Sequence, residues 1–585
     1  MHYNLYNIID SNGQFYVGSS VRIVMSVLIA YYFLKISATN NVFFFCLFVS
    51  LFSIFWVIQI PVFSPIDEGA HFSYINFICE NNKLPLVTDI MDGNILSKIA
   101  EEAIPSGIMY EAVHPPVYYI LTAFLCGLFD SVVIRFWICR ILGSIILVVI
   151  AGVIFSWCRY LNQIGLIDDN KKQKLLLCAI LVLCMPGVLT RFGTVSNEGL
   201  AVLFVTLILY ELTKVVFDGL DEKKFLFINL LILLAFLTKI TTAFVIVLWI
   251  LVLLYYKKYR MGVISSAMIG VGILPWILFN YVNYGSITAT KFHLSYVLPI
   301  VNPNKESLDI ISGIANIFYY FFYPQEGIVS EVTKPIIYFL NLFMLIIFLI
   351  ILSRTIRNIW KIIVCEKYYL KYSLEEKKDI IEIIYSFCVF GNITILILGS
   401  ISSYVSIMIG RYLYLSFIPI IYLIFSYIEE MKQKKFYRIM VVFSCILCLE
   451  NTLTYLSPRL SNIVGSMCDY ESIDINNIAS YDVTVENGIV ISGIVDPQIT
   501  FLDELKEKYR VVEFELEVIN NSMDAFVMYY AVDGYFTEEN KIVSYYDVKN
   551  KKIRFIFKEG KKFTNVRLDP PAESSIVIKK VKVFK

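Results

Sequence analysis

Charge is scarce in this chain. Of its 585 residues, 17% are charged and 58% hydrophobic, where soluble domains carry about 25% and about 45–50%. No soluble core could cover that much apolar surface, so a soluble globular protein is excluded. A multi-pass membrane protein in contact with a lipid bilayer is expected, in keeping with a mean hydropathy of +0.68. The net charge is only +1, which leaves no basic excess for a nucleic-acid partner. Of the twelve cysteines only Cys445 and Cys448 are spaced as CxxC, one helical turn apart inside an apolar run. Most of them (Cys46, Cys126, Cys139, Cys178, Cys184, Cys388, Cys445 and Cys448) sit in apolar runs, where a thiol acts as a small hydrophobe. Neither zinc nor a structural disulfide is expected from them. The opening MHYNLYNIIDSNGQFYVGSS lacks the basic-then-apolar pattern and cleavage site of a signal peptide, so insertion into the membrane rests on internal spans. No internal repeat or low-complexity tract is present.

Long apolar runs are plentiful. A helix needs about 20 apolar residues to cross a hydrocarbon layer about 30 Å thick. Candidate spans lie near 20–37, 41–61, 115–130, 136–157, 174–190, 198–217, 225–238, 241–256, 261–282, 335–353, 381–400, 412–428 and 438–456. The run 225–256 reads as a hairpin of two short helices broken by LTKITT, with Lys239 at the tip. Lysine and arginine mark cytoplasmic loops. The segment 354–378, with Arg354, Arg357, Lys361, Lys367, Lys371, Lys377 and Lys378, is therefore placed inside, as are KKYR at 257–260, KQKKFYR at 432–438 and NKKQK at 170–174. The segment 62–114 sets Asp67, Glu68, Glu80, Asp89, Asp92, Glu101, Glu102 and Glu111 against Lys83 and Lys98, and is placed outside with 283–333 and everything beyond 457. One parity conflict follows: 115–130 and 136–157 cannot both be full crossings, and 115–130, which opens at HPP, is expected to be re-entrant or interfacial.

After about 457 the period changes to two. YDVTVENGIVISGIV, RVVEFELEVI, AFVMYYAVDGYF, KIRFIFKE and SSIVIKKVKVF alternate apolar and polar residues between turn signals, the pattern of short antiparallel strands. The expected division is a membrane domain over 1–456, with an external loop at 62–114, and a β-sandwich over 467–585. Tyr529, Tyr530 and Tyr535 in the sandwich either bind sugar or pack its core, and packing is preferred.

The chemistry-bearing residues cluster beside the spans. In PVFSPIDEGAHFSY, Pro61 and Pro65 stop the preceding helix near Ile60 and leave Asp67 and Glu68 at the lipid surface. Adjacent carboxylates in a partly dry site repel, which raises one pKa and suits a general base, or they share a divalent cation. The alternative is a solvated helix start capped by these acids. Of the four histidines, His71, His114 and His293 fall in segments placed outside. His71, four residues after Asp67, would share a helical face with it; His114 and His293 read first as surface residues. VSNEGL puts Asn197 and Glu198 at the outer end of a span, where helix capping is the simpler reading. Lys239 either snorkels outward or binds a phosphate. Arg411 and Tyr412 begin another span, either as an interfacial anchor or, through the guanidinium, as a phosphate contact.

Five of these stretches also carry a resemblance. SPIDEGAHF is similar to the P-x-DE-x-x-H-F signature of the bacterial membrane family known as domain of unknown function 2142. HPPVYYIL resembles its HPPLYYxL, VSNEGL its S-N-D-A-L, LTKITTAF its LTKP and GRYLYLSFIP its GRYLLPLLP, in order across about 50–430. That family is similar to the GT-C superfamily of polytopic glycosyltransferases, which take sugars from polyprenyl-phosphate carriers. The resemblance implies Asp67 as catalytic base or metal-organising acid with Glu68 as its partner, and Glu198 as a second acid. It implies Lys239 and Arg411 as lipid-phosphate contacts, with His71, His114 and Tyr412 lining the substrate site. A divalent cation, Mg or Mn, on Asp67 and Glu198 is possible. Two positions depart from the pattern: Glu198 stands where Asp is usual, and Ile240 where proline follows the lysine.

The resulting expectation is a polytopic α-helical membrane protein of about 11–13 spans, GT-C-like, with a C-terminal extracytoplasmic β-sandwich, jelly-roll-like because its tail NVRLDPPAESSIVIKKVKVF resembles the last strands of jelly-roll modules. It would transfer a sugar from a polyprenyl-phosphate donor to a glycan acceptor of the cell envelope. The alternative is a transporter or flippase of lipid-linked saccharides, which would call for ionisable groups at the membrane midplane.

Overall fold

The computed structural model describes residues 41–100, 106–289, 373–403, 410–430 and 470–584, short gaps within them aside, and scattered positions between 313 and 360. The expected spans 20–37 and 438–456, and with them Cys445 and Cys448, the basic stretch KQKKFYR, Pro61, Pro65 and His293, lie outside the described residues. The chain divides into two compact units. One takes in Ile8–Asp89 and Met109–Thr452; the other takes in Met1–Asn7, Ile90–Ile108 and Leu453–Lys585.

The first unit is helical. Helix α1 (Val42–Gln59) starts where the Asn41 side chain accepts a hydrogen bond from Phe43 N–H. Helix α2 (Glu68–Asn81) ends on a left-handed Asn82. In the second unit a short two-stranded pairing, β1 (Ile90–Met91) with β2 (Gly107–Ile108), flanks α3 (Gly93–Ala100). Back in the first unit follow α4 (Val117–Cys126), α5 (Val132–Gln163), α6 (Asp169–Leu183), α7 (Pro186–Phe192) and α8 (Glu198–Asp218). Next come α9 (Glu222–Phe236), α10 (Phe244–Tyr255) and α11 (Tyr259–Tyr284), and further on α12 (Leu374–Ser403) and α13 (Phe417–Glu430).

Among the described residues, four helices are long and apolar enough to cross a membrane: α5, α8, α11 and residues 374–401 of α12. On α5 an apolar stripe at helical spacing, Ile134, Ile141, Ile145 and Val149, faces outward, and on α11 Val263, Val271, Leu274 and Val282 do the same. Stripes of this kind along helices of spanning length are the surface that a membrane helix turns to hydrocarbon. The chain is a membrane protein. Helix α4, at ten residues, rises about 15 Å and covers half of the apolar layer. The run 115–130 is thus no full crossing, which removes the parity conflict. The expected span 174–190 is broken between α6 and α7, because Pro186 cannot continue the bonding of the preceding turn.

Buried polar ties fix the bundle. The Tyr385 hydroxyl on α12 accepts from the Trp157 indole of α5 at 2.9 Å and lies 2.7 Å from the Thr213 hydroxyl of α8. Close packing against α5 depends on Gly143, where a Cβ would stand 2.4 Å from the Phe192 carbonyl oxygen.

The second unit is a two-sheet antiparallel sandwich. Its strands are β3 (Tyr470–Ile473), β4 (Ile478–Tyr481), β5 (Val483–Glu486), β6 (Ile489–Ser492), β7 (Gln498–Phe501) and β8 (Lys508–Asn520). They continue with β9 (Phe526–Tyr530), β10 (Lys541–Ser544), β11 (Lys552–Lys562), β12 (Val566–Asp569) and β13 (Ser575–Phe584). One sheet runs β10-β9-β12-β7-β4 and the other β11-β8-β13-β6-β5, with β3 also on β13. The alternation in VVEFELEVI sends Val512, Phe514 and Leu516 inward, opposite Val583, Val581 and Ile578 on β13. Tyr529 and Tyr530 are buried, and Tyr530 packs on Phe557 and Phe563, whereas Tyr535 is 75% exposed.

Candidate active site

The stretch that links α1 to α2 makes an abrupt turn. Asp67 has φ 72° and is left-handed, a conformation that Asp and Asn tolerate better than other side chains. Its carboxylate does not cap α2. Instead Oδ1 accepts from the Tyr110 hydroxyl at 3.1 Å and Oδ2 lies 3.5 Å from Arg411 Nη2. Burial, followed by the nearby Glu111 carboxylate, raises the Asp67 pKa above its ordinary value. An acid held in this way can take up a proton at a pH where a surface aspartate would not.

Glu68 points elsewhere. Its Oε1 accepts from Arg140 Nε at 2.8 Å and from Val195 N–H at 3.0 Å; its Oε2 accepts from Arg140 Nη2 at 2.7 Å and from Phe63 N–H at 3.0 Å. Arg140 also donates to the carbonyls of Ile60 and Val57 and lies over the Phe136 ring. Both side chains are sealed from solvent. The expected catalytic role for Glu68 as partner of Asp67 does not match this geometry. Its lone pairs are occupied, and it ties α1, α2, α5 and the segment before α8 together.

Glu198, the first residue of α8, gathers cations. Lys239 Nζ stands 2.7 Å and Arg411 Nε 3.2 Å from its Oε1, and Arg191 Nε stands 3.0 Å from its Oε2. Ser196 caps the Glu198 amide, while Asn197 donates to Tyr119 and to the Thr238 carbonyl. Lys239 closes the α9 end in an extended conformation just before the 3-10 turn Ile240–Ala243, so the expected hairpin break at LTKITT is present. Its ammonium does not snorkel: it is buried over the Tyr412 ring, 4.6 Å from the centroid, and the Arg411 guanidinium lies 5.5 Å from the same ring. Arg411 Nη1 is buried without a hydrogen-bond acceptor, and Nε, though ion-paired with Glu198, makes no aligned hydrogen bond.

On the other side of Asp67 lies a second cluster. His71 Nδ1 is 2.8 Å from the Tyr119 hydroxyl and 3.3 Å from Glu111 Oε2; His114 Nε2 is 3.1 Å from the same oxygen. Tyr119 is held by Tyr74, stacked at 3.7 Å. Burial would raise Glu111, but His71 and His114 pull it down to about 2. Burial, the largest influence, lowers His71 against the opposing pull of Glu111 and Asp67. His114 is 35% exposed and carries this cluster to the solvent edge.

Asp67, Glu198, Lys239, Arg411 and Tyr412 thus meet in one place, and His71 and His114 join them through Glu111 and Tyr119. Sequence reasoning missed Arg140, Arg191, Tyr110 and Tyr119, and counted Glu111 only as a loop acid. Arg140 and Arg191 carried a readable signal, since a cation within an apolar run is costly unless paired.

The divalent cation implied on Asp67 and Glu198 does not fit this donor set. Both oxygens of Glu198 already face three cations, and Asp67 is bridged to it by one of them. Among the described residues no group of three or more His, Cys, Asp or Glu side chains is arranged to hold a metal ion.

No family model and no curated protein matches the chain, so the resemblance to domain of unknown function 2142 is not confirmed. Among solved structures, the chain is similar to the arabinosyltransferase EmbB from Mycobacterium smegmatis at 10% identity and a TM-score of 0.27, over 91% of this chain. It spans 64% of that enzyme's length. A score of that size decides nothing about the site, which stands on its own geometry.

Proposed function

We propose that this protein is a membrane glycosyltransferase that moves a sugar from a polyprenyl-phosphate donor to a glycan acceptor of the cell envelope. The site and the β-sandwich would face the outside of a bacterial cytoplasmic membrane. The observation that carries the reading is the meeting of Asp67 with Lys239 and Arg411 from distant parts of the chain. Together they place a proton acceptor beside anion-binding cations at the ends of membrane helices.

In this reading Asp67 takes the proton of an acceptor hydroxyl as the acceptor oxygen bonds to the anomeric carbon. The bond from that carbon to the phosphate oxygen breaks, and the electron pair leaves on the phosphate. Lys239 and Arg411 stabilise that developing charge in a water-poor setting, where fixed cations act most strongly. Tyr110 orients the base, and Tyr412 carries the cations on its ring. The distribution of basic loops supports the outward orientation.

The test is transfer by purified protein in lipid, supplied with radiolabelled polyprenyl-phosphate sugars. The wild type is expected to transfer or hydrolyse a donor, and Asp67→Asn to lose about 10²- to 10⁴-fold in rate while folding normally. No turnover with any donor would end the transferase reading; full activity in Asp67→Asn would remove Asp67 as the base.

A further inference from the structure

We infer that the leaving phosphate is held by a clamp made of protein alone, Arg191, Lys239 and Arg411 gathered on Glu198, with no divalent cation taking part in transfer. This rests on the transferase reading and goes beyond it by adding Arg191 and by giving Glu198 a role other than metal ligation.

The donor set decides it. A divalent cation needs free carboxylate lone pairs and surroundings of low positive charge. Glu198 fails the second condition, because Lys239 and Arg411 stand against one oxygen and Arg191 against the other, so an incoming cation would meet three positive groups. Arg191, Lys239 and Glu198 are all more than nine-tenths buried, so water screens their charges little. A metal ion placed between Asp67 and Glu198 would stand against three positive groups within contact distance of its own ligand.

The same arrangement is short of acceptors. Arg411 Nη1 is buried without a hydrogen-bond acceptor, and Nε, though 3.2 Å from Glu198 Oε1, makes no aligned hydrogen bond, a cost that folded proteins rarely carry except at functional sites. A phosphate brings several acceptor oxygens, and guanidinium and ammonium groups are the side chains that bind it best. The carboxylate of Glu198 holds the three cations in register, which makes it a positioning residue. Its extra methylene, against the aspartate of the related motif, carries the carboxylate one bond further out to three cations.

Three measurements test this. Transfer by the wild type is expected to be unchanged by EDTA and by added Mg or Mn. Manganese titrated into the wild type, followed by electron paramagnetic resonance, is expected to show no site that Asp67→Asn removes. Arg191→Gln is expected to lower kcat/KM for the donor about tenfold or more, through kcat as well as KM because the clamp bears on the departing phosphate, and to weaken polyprenyl monophosphate binding in nanodiscs by a similar factor. Arg191→Lys is expected to recover part of both. Loss of transfer in EDTA with rescue by manganese, or a stoichiometric manganese site that depends on Asp67, would overturn the clamp while leaving the transferase reading intact. Absence of transfer with every donor would instead sink the transferase reading, and the manganese and polyprenyl monophosphate titrations would still decide the clamp.

Discussion

Two buried carboxylates in the helical unit meet arginine in opposite ways. Glu68 and Arg140 form a closed pair: two charge-assisted bonds join them, and backbone donors and acceptors fill the rest. Glu198 instead faces three cations, and Arg411 keeps donors without acceptors. The first arrangement is saturated and can only hold helices together. The second keeps binding capacity in reserve, which the fold alone does not require.

Breaking the closed pair is expected to have the largest effect. Arg140→Met leaves Glu68 buried and uncompensated and should cost about 3–5 kcal/mol of stability, read by thermal unfolding in detergent; a change under about 1 kcal/mol would mean that the pair does not hold the fold. Next comes the packing that brings Val195 to Glu68. Gly143→Ala drives a methyl group against the Phe192 carbonyl and should cost about 1–3 kcal/mol, with a parallel loss of activity as the Glu68 anchor shifts.

The open cluster should answer differently. Lys239→Gln removes one of three like charges, so its unfolding temperature should hold or rise while kcat/KM for the donor falls about tenfold. Destabilisation as large as that of Arg140→Met would erase the distinction between the two centres. The smallest effect concerns pH. A base must be unprotonated, and Asp67 is raised by burial and by Glu111, so the rate should fall as pH drops through a value above the ordinary aspartate pKa of about 3.9. Glu111→Gln removes one raising cause, and the acid limb of the pH–rate profile should move to lower pH. An unmoved limb would assign it to another group.

The sequence carried much of this, through local signals. Apolar runs and period-two alternation located the membrane helices and the strands, because both patterns are set by which face meets lipid or core. Pro186 was available to split the 174–190 run and was not used. Asp67, Lys239 and Arg411 stood out because polar groups at the ends of apolar runs are conspicuous. Glu68 misled because adjacency along the chain says nothing about direction at a left-handed turn. There Asp67 points to Arg411 while its neighbour points to Arg140. Arg191 showed only as a cation in need of a partner, and Glu111 only as a loop acid, because their partners lie on other helices and only the packing of α2, α4 and α8 brings those together.

The left-handed backbone at Asp67 restricts evolution as well as geometry. Of the two acidic side chains, the shorter suits that dihedral better, and Glu would add strain of about 1–2 kcal/mol besides overshooting Tyr110. Asn fits the same dihedral, so a variant without charge is only one base substitution away and folds as well as the parent. If Asp67 is the base proposed above, drift toward a folded, inserted and inert paralogue is open at this one codon.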